Sequence, residues 1–242
     1  MRVPRIYTEQ SLTPHHLITL EPEPSHHLAH VLRIKIDDEL RLFNGDGREY
    51  TGTVTQISNK QVNVDISEQL REEPHPSLSI NLMIGVSRGE RMDYALQKAV
   101  ELGVTSIQPV FSRRCMVKLH GKRLDRRREH WQRIVASACE QAARCRLPDL
   151  QCPRDYTAVL QTPPLDLALL LDHRSRKSLH ELPSPAGRVS LLIGPEGGLT
   201  DDERSLAHQQ GFLGIRLGPR ILRTETAPLA AIAAIQTLWG DF

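Results

Sequence analysis

Ile193-Gly-Pro-Glu-Gly-Gly198 and Leu217-Gly-Pro-Arg-Ile-Leu-Arg-Thr-Glu-Thr-Ala227 are the two stretches that decide the fold of this 242-residue chain. Each follows a short apolar run typical of a buried strand, Val189–Ile193 in the first case and Ile215–Leu217 in the second. A helical pattern follows each glycine-proline turn. Glycine lets the backbone approach a ligand closely, and a helix start adds N–H groups without partners. The two turns therefore predict a site that holds a small molecule largely through its main chain.

The residues from Leu78 onward alternate between strand-like and helix-like patterns. This alternation is typical of an α/β domain with a mainly parallel sheet. Thr200-Asp-Asp-Glu203 is a capping box, which predicts that a helix begins there. The predicted strands are Leu78–Val86, Val104–Phe111, Leu165–Leu171, Val189–Ile193 and Ile215–Leu217, and the predicted helices are Arg91–Leu102, Leu124–Cys145, a helix after Thr200 and Ala230–Trp239.

The N-terminal part of the chain is rich in short strand-like segments. Good turn residues separate them, and evenly spaced short strands favour a small β-barrel. Prolines in Glu72–Ser77 resist both helix and central strand, which indicates a linker. We therefore expect domains over residues 1–72 and 77–242. The predicted strands are Glu39–Phe43, Glu49–Ile57 and Gln61–Ile66, and a helix is predicted from an N-cap at Ser25 to Arg33.

Composition places the chain among ordinary globular proteins, with 39% hydrophobic and 25% charged residues. No apolar run has the length of a membrane span, and the N-terminus lacks the apolar core of a signal peptide. The four cysteines include no Cys-x-x-Cys pair, which favours reduced thiols and gives no metal-binding pattern. We expect a cytoplasmic protein that binds neither membrane nor metal.

Positive charge is concentrated in residues 111–154, which carry 12 basic and 4 acidic side chains although the net charge of the chain is only +2. The chain has 25 arginines and 6 lysines, and the planar guanidinium suits phosphate and base recognition. A solvated helix face around Arg126–Arg128 would give the same pattern. Charge alone therefore leaves nucleic-acid binding and a plain helix surface equally open.

Familiar phosphate-binding and hydrolytic motifs are absent from the chain. No Gly-x-Gly-x-x-Gly follows a predicted strand, and no Gly-Lys-Ser/Thr occurs. The sequence also lacks the Gly-x-Ser-x-Gly of a nucleophile elbow. These absences disfavour a dinucleotide enzyme, a P-loop protein and a small-molecule hydrolase of that class. Ligands of open α/β sheets lie beyond the carboxyl ends of the strands, which points to the two glycine-proline turns and to Leu171-Asp-His173.

The two turns resemble those of the knotted SPOUT-class methyltransferases, and specifically the RsmE family of 16S rRNA uridine-N3 methyltransferases. The resemblance runs the length of the chain, and its motifs occur in the family's order. Further matching stretches are Arg2-Val-Pro-Arg-Ile-Tyr7, Ser87-Arg-Gly-Glu-Arg-Met92, Lys98-Ala-Val-Glu-Leu-Gly103, Ser112-Arg-Arg-Cys115 and Ala138-Cys-Glu-Gln141.

This resemblance implies a PUA-like RNA-binding β-barrel followed by a SPOUT α/β domain with a C-terminal trefoil knot. It implies a homodimer that methylates N3 of a specific uridine in the decoding region of 16S rRNA, on the assembled 30S ribosomal subunit. S-adenosylmethionine would be the methyl donor. The chain departs from the family's pattern at Asp172–Ser175, where a proline-containing stretch is common. The implied cofactor-binding residues are Leu171, Asp172, His173, Ile193, Gly194, Glu196, Gly197, Gly198, Leu217, Gly218, Ile221, Leu222, Thr224 and Thr226.

Candidate catalytic residues follow from the chemistry of the implied reaction. A guanidinium can stabilise negative charge on the uracil oxygens, and Arg223 is the candidate for this role. A carboxylate can accept the N3 proton, for which Glu225 and Glu196 are candidates. An ion pair between Arg223 and Glu225 that only supports the loop is the alternative. Candidate RNA-binding residues are Arg2, Arg5, Arg88, Arg113, Arg114, Lys118, Lys122 and Arg123, with Arg126–Arg128 adding further charge.

Two other functions remain compatible with the fold. A ribosome-assembly factor could keep the domains and bind RNA without catalysis, although the intact Arg223–Thr226 stretch argues against it. A SPOUT enzyme could instead modify tRNA or a ribose 2′-oxygen, which the N-terminal resemblance disfavours. Cofactor titration distinguishes a methyltransferase from the non-catalytic assembly factor. Identification of the methylated atom distinguishes it from an enzyme that modifies tRNA or a ribose 2′-oxygen.

Overall fold

A computed structural model describes residues 3–58, 61–162, 164 and 166–242 and divides the chain into two compact units. Unit 1 contains the residues up to His75 together with Ala136–Leu147, and unit 2 contains Pro76–Val135 and Pro148–Phe242. The sequence pattern predicts a single domain over residues 77–242, whereas the structure places 136–147 with unit 1. Arg5 accounts for part of this difference, because its Nη1 donates to the carbonyl oxygens of Cys139 and Glu140 at 2.8 and 2.9 Å.

Unit 1 is built on a five-stranded sheet in the order β1-β3-β4-β5-β2. Strands β1 and β3 are parallel, and the remaining pairs are antiparallel. Side chains on one face of the central strands, including Leu40, Leu42, Val54 and Val64, are fully buried in its core. The meander predicted from the sequence is confirmed. The strands are β1 Arg5–Tyr7, β2 Leu17–Thr19, β3 Glu39–Phe43, β4 Arg48–Ile57 and β5 Val62–Glu72.

The N-terminal helix begins earlier than the sequence predicts. Helix α1 spans Pro22–His26 and continues as a π-helical segment over His27–Leu32. The predicted N-cap at Ser25 is wrong, because Glu21 occupies that position and a proline lies in the first turn. The buried Ser25 hydroxyl instead donates to Leu20 O at 3.0 Å and accepts from Val62 N at 3.1 Å. Ser25 therefore connects the helix to the sheet.

A buried charge cluster stabilises unit 1. Glu49, whose side chain is 0% exposed, accepts from Arg5 Nε at 2.5 Å and from Arg71 Nε at 2.8 Å. The Arg5 side chain is 7% exposed, and its guanidinium also lies 4.8 Å from the centre of the Phe43 ring. This placement corrects the expectation that Arg5 contacts RNA, because its donors are occupied by internal bonds. We assign Arg5 a structural role.

Unit 2 has a parallel sheet in the order β12-β10-β11-β6-β7-β8, and β9 pairs separately with β7. The predicted α/β domain with a parallel sheet is confirmed. The predicted strand at Ile215–Leu217 lies two residues too late, because Arg216 N donates to Lys177 O outside the sheet. Leu165, where another predicted strand begins, is outside the described residues. The strands are β6 Ser79–Gly85, β7 Ser106–Phe111, β8 Asp149–Leu150, β9 Arg154–Asp155, β10 Leu167–Leu171, β11 Arg188–Ile193 and β12 Leu213–Ile215.

The four helices predicted for unit 2 are confirmed apart from their ends, whereas the short helix at Tyr156–Leu160 and the 3₁₀ turn at Leu179–Glu181 were not predicted. The capping box is confirmed, with Glu203 N donating to Thr200 Oγ1 at 3.2 Å and Thr200 N donating to Glu203 Oε2 at 2.8 Å. Among the described helices, none is long and apolar enough to cross a membrane. The helices are α2 Glu90–Glu101, α3 Lys122–Gln141, whose end lies in unit 1, α4 Tyr156–Leu160, α5 Asp201–Gln209 and α6 Thr226–Trp239, with a 3₁₀ turn at Leu179–Glu181.

Candidate cofactor-binding site

Three loops at the carboxyl ends of β10, β11 and β12 surround a cavity of about 290 Å³. These strands are neighbours in the sheet, so the loops that follow them meet at one edge. Thr226 does not line the cavity, because it is the exposed first residue of α6. The other predicted cofactor-binding residues do line it: Leu171, Asp172, His173, Ile193, Gly194, Glu196, Gly197, Gly198, Leu217, Gly218, Ile221, Leu222 and Thr224.

Close backbone packing holds the first glycine-proline turn against β6. A Cβ atom added to Gly85 would lie 2.4 Å from Pro195 N and 2.6 Å from Pro195 Cδ. One added to Gly197 would lie 2.9 Å from the carbonyl oxygen of Arg114. Only glycine permits these approaches, because any larger residue requires the neighbouring backbone to move. The glycines therefore fix the wall of the cavity.

The second glycine-proline loop, which lines the cavity, carries main-chain N–H groups without partners. The N–H groups of Ile221, Leu222 and Thr224 donate no hydrogen bond to any described residue. Buried or half-buried N–H groups are nearly always paired in folded proteins. Leu222 and Thr224 are half-buried, so their N–H groups are suited to a ligand's acceptors. Recognition of a ligand by these main-chain groups stays a prediction from the sequence.

Glu196 lies on the cavity wall with one carboxylate oxygen unpartnered. Its Oε1 accepts from Arg88 N at 2.9 Å and lies 3.7 Å from Arg91 Nη1. Its Oε2 is buried and has no hydrogen-bond partner among the described residues. A buried carboxylate oxygen without a partner is costly, which indicates that a ligand or substrate completes the site.

Asp172 is held inside the cavity by an ionic network. Its Oδ1 accepts from Arg174 N at 3.0 Å, and its Oδ2 lies 3.8 Å from Arg204 Nε. Arg204 Nη1 also donates to Leu199 O at 2.6 Å, and both arginines bind Asp201. Sequence reasoning missed Arg204, and its position one turn after the Thr200 cap was the available signal. Other lining residues outside the predicted loops include Arg114, Arg174 and Leu199.

The candidate catalytic residues occupy different positions relative to the cavity. Glu196 lines it, whereas Arg223 and Glu225 do not. Arg223 is exposed, and Glu225 is half-buried at the start of α6. No ion pair joins Arg223 to Glu225 or to any other described residue. The guanidinium of Arg223 therefore remains available to a substrate outside the cavity wall.

The candidate RNA-binding residues of unit 2 are exposed. Arg113 forms a surface ion pair with Asp202 at 2.9 Å, and Arg114 Nη1 donates to Gly197 O at 3.2 Å. Arg2 is outside the described residues. The remaining exposed candidates of this unit are Arg88, Lys118, Lys122 and Arg123, with Arg126 and Arg128 exposed on the same helix.

Comparison with known families matches both parts of the chain. The model of an RNA methyltransferase domain matches residues 73–236, and that of an RNA methyltransferase PUA domain matches residues 20–67. Ribosomal RNA small subunit methyltransferase E of Buchnera aphidicola from Schizaphis graminum is 35% identical, over 99% of this chain and 98% of that protein. The protein of that name from Bacillus subtilis is 29% identical, over 97% and 96%.

Two solved structures of methyltransferases are also similar to this chain over its whole length. Ribosomal RNA small subunit methyltransferase E from Neisseria gonorrhoeae, bound to S-adenosyl methionine, is 39% identical, with a TM-score of 0.92 and full coverage of both chains. A putative methyltransferase from Legionella pneumophila, in complex with the cofactor SAM, is 37% identical, with a TM-score of 0.96 and full coverage. The chain belongs to the ribosomal RNA small subunit methyltransferase E family of RNA methyltransferases.

Proposed function

We propose that this chain is an S-adenosylmethionine-dependent methyltransferase that modifies N3 of one uridine in the decoding region of 16S rRNA, on the assembled small subunit. The observation that carries the proposal is the cavity formed by three adjacent strand ends, with unpaired N–H groups on one wall and the orphaned Glu196 oxygen on another. Family membership supports the same activity.

The residues of the cavity fit S-adenosylmethionine. The apolar side chains of Ile193, Leu217 and Leu222 suit an adenine ring, and the free N–H groups of the second loop suit its ring nitrogens. The carboxylates of Asp172 and Glu196 complement a cation, and the exposed guanidinium of Arg220 complements the cofactor's carboxylate. When bound, the cofactor supplies an activated methyl group on a sulfonium sulfur.

The chain's own residues position the uridine, stabilise the negative charge that develops on it and accept its N3 proton. N3 carries a proton at neutral pH, and that proton is lost or shared during attack. Arg223 stabilises the negative charge that develops on the uracil oxygens. Glu196, with its free buried oxygen, accepts the proton, and Glu225 is the second candidate. The base leaves its stack or pair so that N3 becomes reachable.

We propose that the last segment of unit 2 forms a trefoil knot and that two copies of the chain form a dimer. Strand β12 lies at one edge of the sheet, yet α6 after it packs on α2, with Gln236 Nε2 donating to Leu102 O at 3.1 Å. This return across the sheet supports a threaded chain. Exposed apolar side chains at Tyr94, Ile221 and Leu238 support a dimer, which sedimentation tests. We expect the protein to act in the cytoplasm.

Replacing Gly85 with alanine is expected to weaken S-adenosylmethionine binding by at least tenfold. The new Cβ would overlap Pro195, so the first glycine-proline turn has to shift away from the cavity. Titration calorimetry measures the affinity. Gly121→Asn is the matched control, because Gly121 lies outside the site with open space around its Cβ position and asparagine tolerates its positive φ. Unchanged affinity in Gly85→Ala would contradict the role of close backbone packing.

RNA binding is expected to weaken steeply with salt. Each phosphate contact contributes a slope of about −0.7 to −0.9 to log K against log salt. Replacing both Lys122 and Arg123 with alanine removes two phosphate contacts, so the slope should become shallower by about 1.4 to 1.8. Filter binding of small subunits at several salt concentrations measures this, with cofactor affinity as the control. An unaltered slope removes these two residues from the RNA surface.

Titration of the purified chain with S-adenosylmethionine tests the proposed function against a non-catalytic RNA-binding factor. We expect one cofactor per chain, with binding lost in Leu222→Glu, which places a charge on the apolar wall. The absence of binding by the unaltered chain would favour the non-catalytic factor.

A further inference from the structure

A polar cleft lies on the parallel sheet of unit 2, away from the cofactor cavity. Its volume is about 490 Å³. We define the polar cleft by Asn81, Ser106, Gln108 and Ser190 on the sheet and by Arg154 and Arg188 at its rim. Strands of a parallel sheet covered on both faces are normally almost continuous runs of apolar residues. Polar side chains on three adjacent inner strands therefore need an explanation.

The polar side chains form a row in exact register across the sheet. Asn81 of β6 pairs with Ser190 of β11 on one side and with Ser106 of β7 on the other. Residues at the same register of a parallel sheet share a face. Ser106 Oγ donates to Asn81 Oδ1 at 2.9 Å, which fixes the amide orientation. No described residue accepts from Asn81 Nδ2 or bonds to the Ser190 hydroxyl, so both are free to bind a ligand.

The same face becomes apolar two residues further along β6 and β11, whereas β7 keeps a polar residue there, the buried Gln108, whose Nε2 donates to main-chain oxygens. Met83 follows Asn81 on this face of β6, and Leu192 follows Ser190 on β11. Both belong to the core cluster that α4 and α5 cover, which also contains Val159 and Ala207. The helices therefore bury the apolar half of the face, whereas Asn81, Ser106 and Ser190 on the polar half stay half-buried and line the cleft. This switch coincides with the edge of the helical layer, as expected for a surface that binds something else.

The charges at the rim favour an anionic partner. Arg188 and Arg154 are exposed, and neither forms an ion pair with a described residue. Asp166 is the one acidic residue among the described lining residues, and its Oδ2 accepts from Arg188 N at 2.8 Å. Arg154 Nη2 donates to Ala158 O at 2.9 Å, which leaves its other donors free.

We propose that the polar cleft binds a nucleotide of the RNA substrate, with its phosphate at Arg154 and Arg188 and its ribose or base edge on the row of hydroxyl and amide groups. This inference rests on the proposed function, because it takes the RNA to be the methylation substrate. Phosphate contacts from arginine position an RNA, and 2′-hydroxyl or base-edge contacts distinguish its nucleotides. Ser190 lies three residues before Ile193, about 10 Å along the strand from the cofactor cavity. Because α4 and α5 cover the sheet between the two places, an RNA strand would pass around these helices to reach both.

Two variants test the cleft without touching the cofactor cavity. Arg154→Glu combined with Arg188→Glu reverses the rim charge, and Ser190→Leu fills the cleft with apolar atoms. Arg176→Glu is the matched control, because Arg176 is exposed on the loop after β10 and has no ion pair among the described residues. Filter binding to purified 30S subunits and to free 16S rRNA is measured beside S-adenosylmethionine affinity and thermal stability.

We expect at least tenfold weaker RNA binding in the double charge reversal and a shallower salt dependence. Ser190→Leu should weaken RNA binding while leaving cofactor affinity unchanged and stability equal or higher, since a binding surface is not optimised for stability. Unchanged RNA affinity in both variants overturns the proposal. A change in the oligomeric state of either variant, measured by sedimentation, also overturns the proposal. It would show that a second copy of the chain occupies the cleft. Filter binding measures RNA affinity without methyl transfer. A failure of the polar-cleft proposal can therefore be told apart from a failure of the proposed methylation activity.

Discussion

Arg223→Ala is expected to reduce the turnover number by about 10²- to 10³-fold, the range found for removing one donor from a developing oxyanion. Arg223 is exposed and has no ion pair among the described residues, whereas its neighbours Leu222 and Thr224 line the cofactor cavity. The side chain is therefore free to meet a uracil oxygen. Cofactor affinity should remain nearly unchanged, because the side chain is not part of the cavity wall. Single-turnover methylation and calorimetry measure the two effects.

Arg216→Ala is the matched control for this substitution. Arg216 is an exposed arginine just before the same loop; its N–H donates to Lys177 O, and its charge acts on Glu181, outside the cavity. Arg223→Lys should give an intermediate rate, since an ammonium keeps the charge but loses the planar fork. Full turnover in Arg223→Ala would remove the catalytic role. A parallel loss of cofactor affinity would show instead that Arg223 only supports the loop.

Glu49→Ala is expected to destabilise unit 1 by about 3–5 kcal/mol, because it leaves the buried positive charge of Arg5 without its carboxylate partner. The two tryptophans of the chain, Trp131 and Trp239, lie in unit 2. Hydrogen exchange of peptides from β3, β4 and β5 should therefore measure the loss, while tryptophan fluorescence reports unit 2. Glu72→Ala is the control, since its exposed carboxylate makes only long ion pairs, 3.8 Å to Arg146 and 4.0 Å to Arg48, and its loss should change stability by less than about 0.5 kcal/mol. Equal hydrogen-exchange protection of these peptides in Glu49→Ala and Glu72→Ala would contradict the stabilising role of the cluster.

The same cluster should make unit 1 sensitive to acid. Burial alone would raise the pKa of Glu49, but hydrogen bonds from Arg5 and Arg71 outweigh it and hold the pKa below the usual value of 4.5. A lowered carboxyl pKa contributes stability that is complete above the usual value and is lost as pH falls through the folded value. Hydrogen exchange of the same peptides at decreasing pH measures this. Glu49→Gln should remove most of the dependence.

Local patterns account for the parts of the fold that the sequence predicts correctly. The Thr200 capping box and the apolar run ending at Ile193 depend on neighbouring residues, so their pattern is visible in a short window. Ser25 was misplaced because its hydroxyl bonds to Val62, 37 residues away. Residues 136–147 join unit 1 through contacts with Arg5 across more than 130 positions, which no local pattern contains.

The sequence likewise predicts where the candidate site lies but not all of the contacts within it. Strand ends and glycine-proline turns locate the cavity, because neighbouring parallel strands bring their following loops together. The inward direction of Arg204 depends on its bond to Leu199 O and on the position of Asp172, which are properties of the folded chain. The burial of Arg5 likewise depends on Glu49, so its basic character alone wrongly suggested an RNA contact.

Methylation of purified 30S subunits and free 16S rRNA with methyl-labelled S-adenosylmethionine, followed by nucleoside analysis, tests the central claim most directly. We predict labelled 3-methyluridine at one position, with transfer favoured on the assembled subunit. Label in a ribose 2′-O-methyl nucleoside, in another base, or in no nucleoside despite cofactor binding would contradict the account.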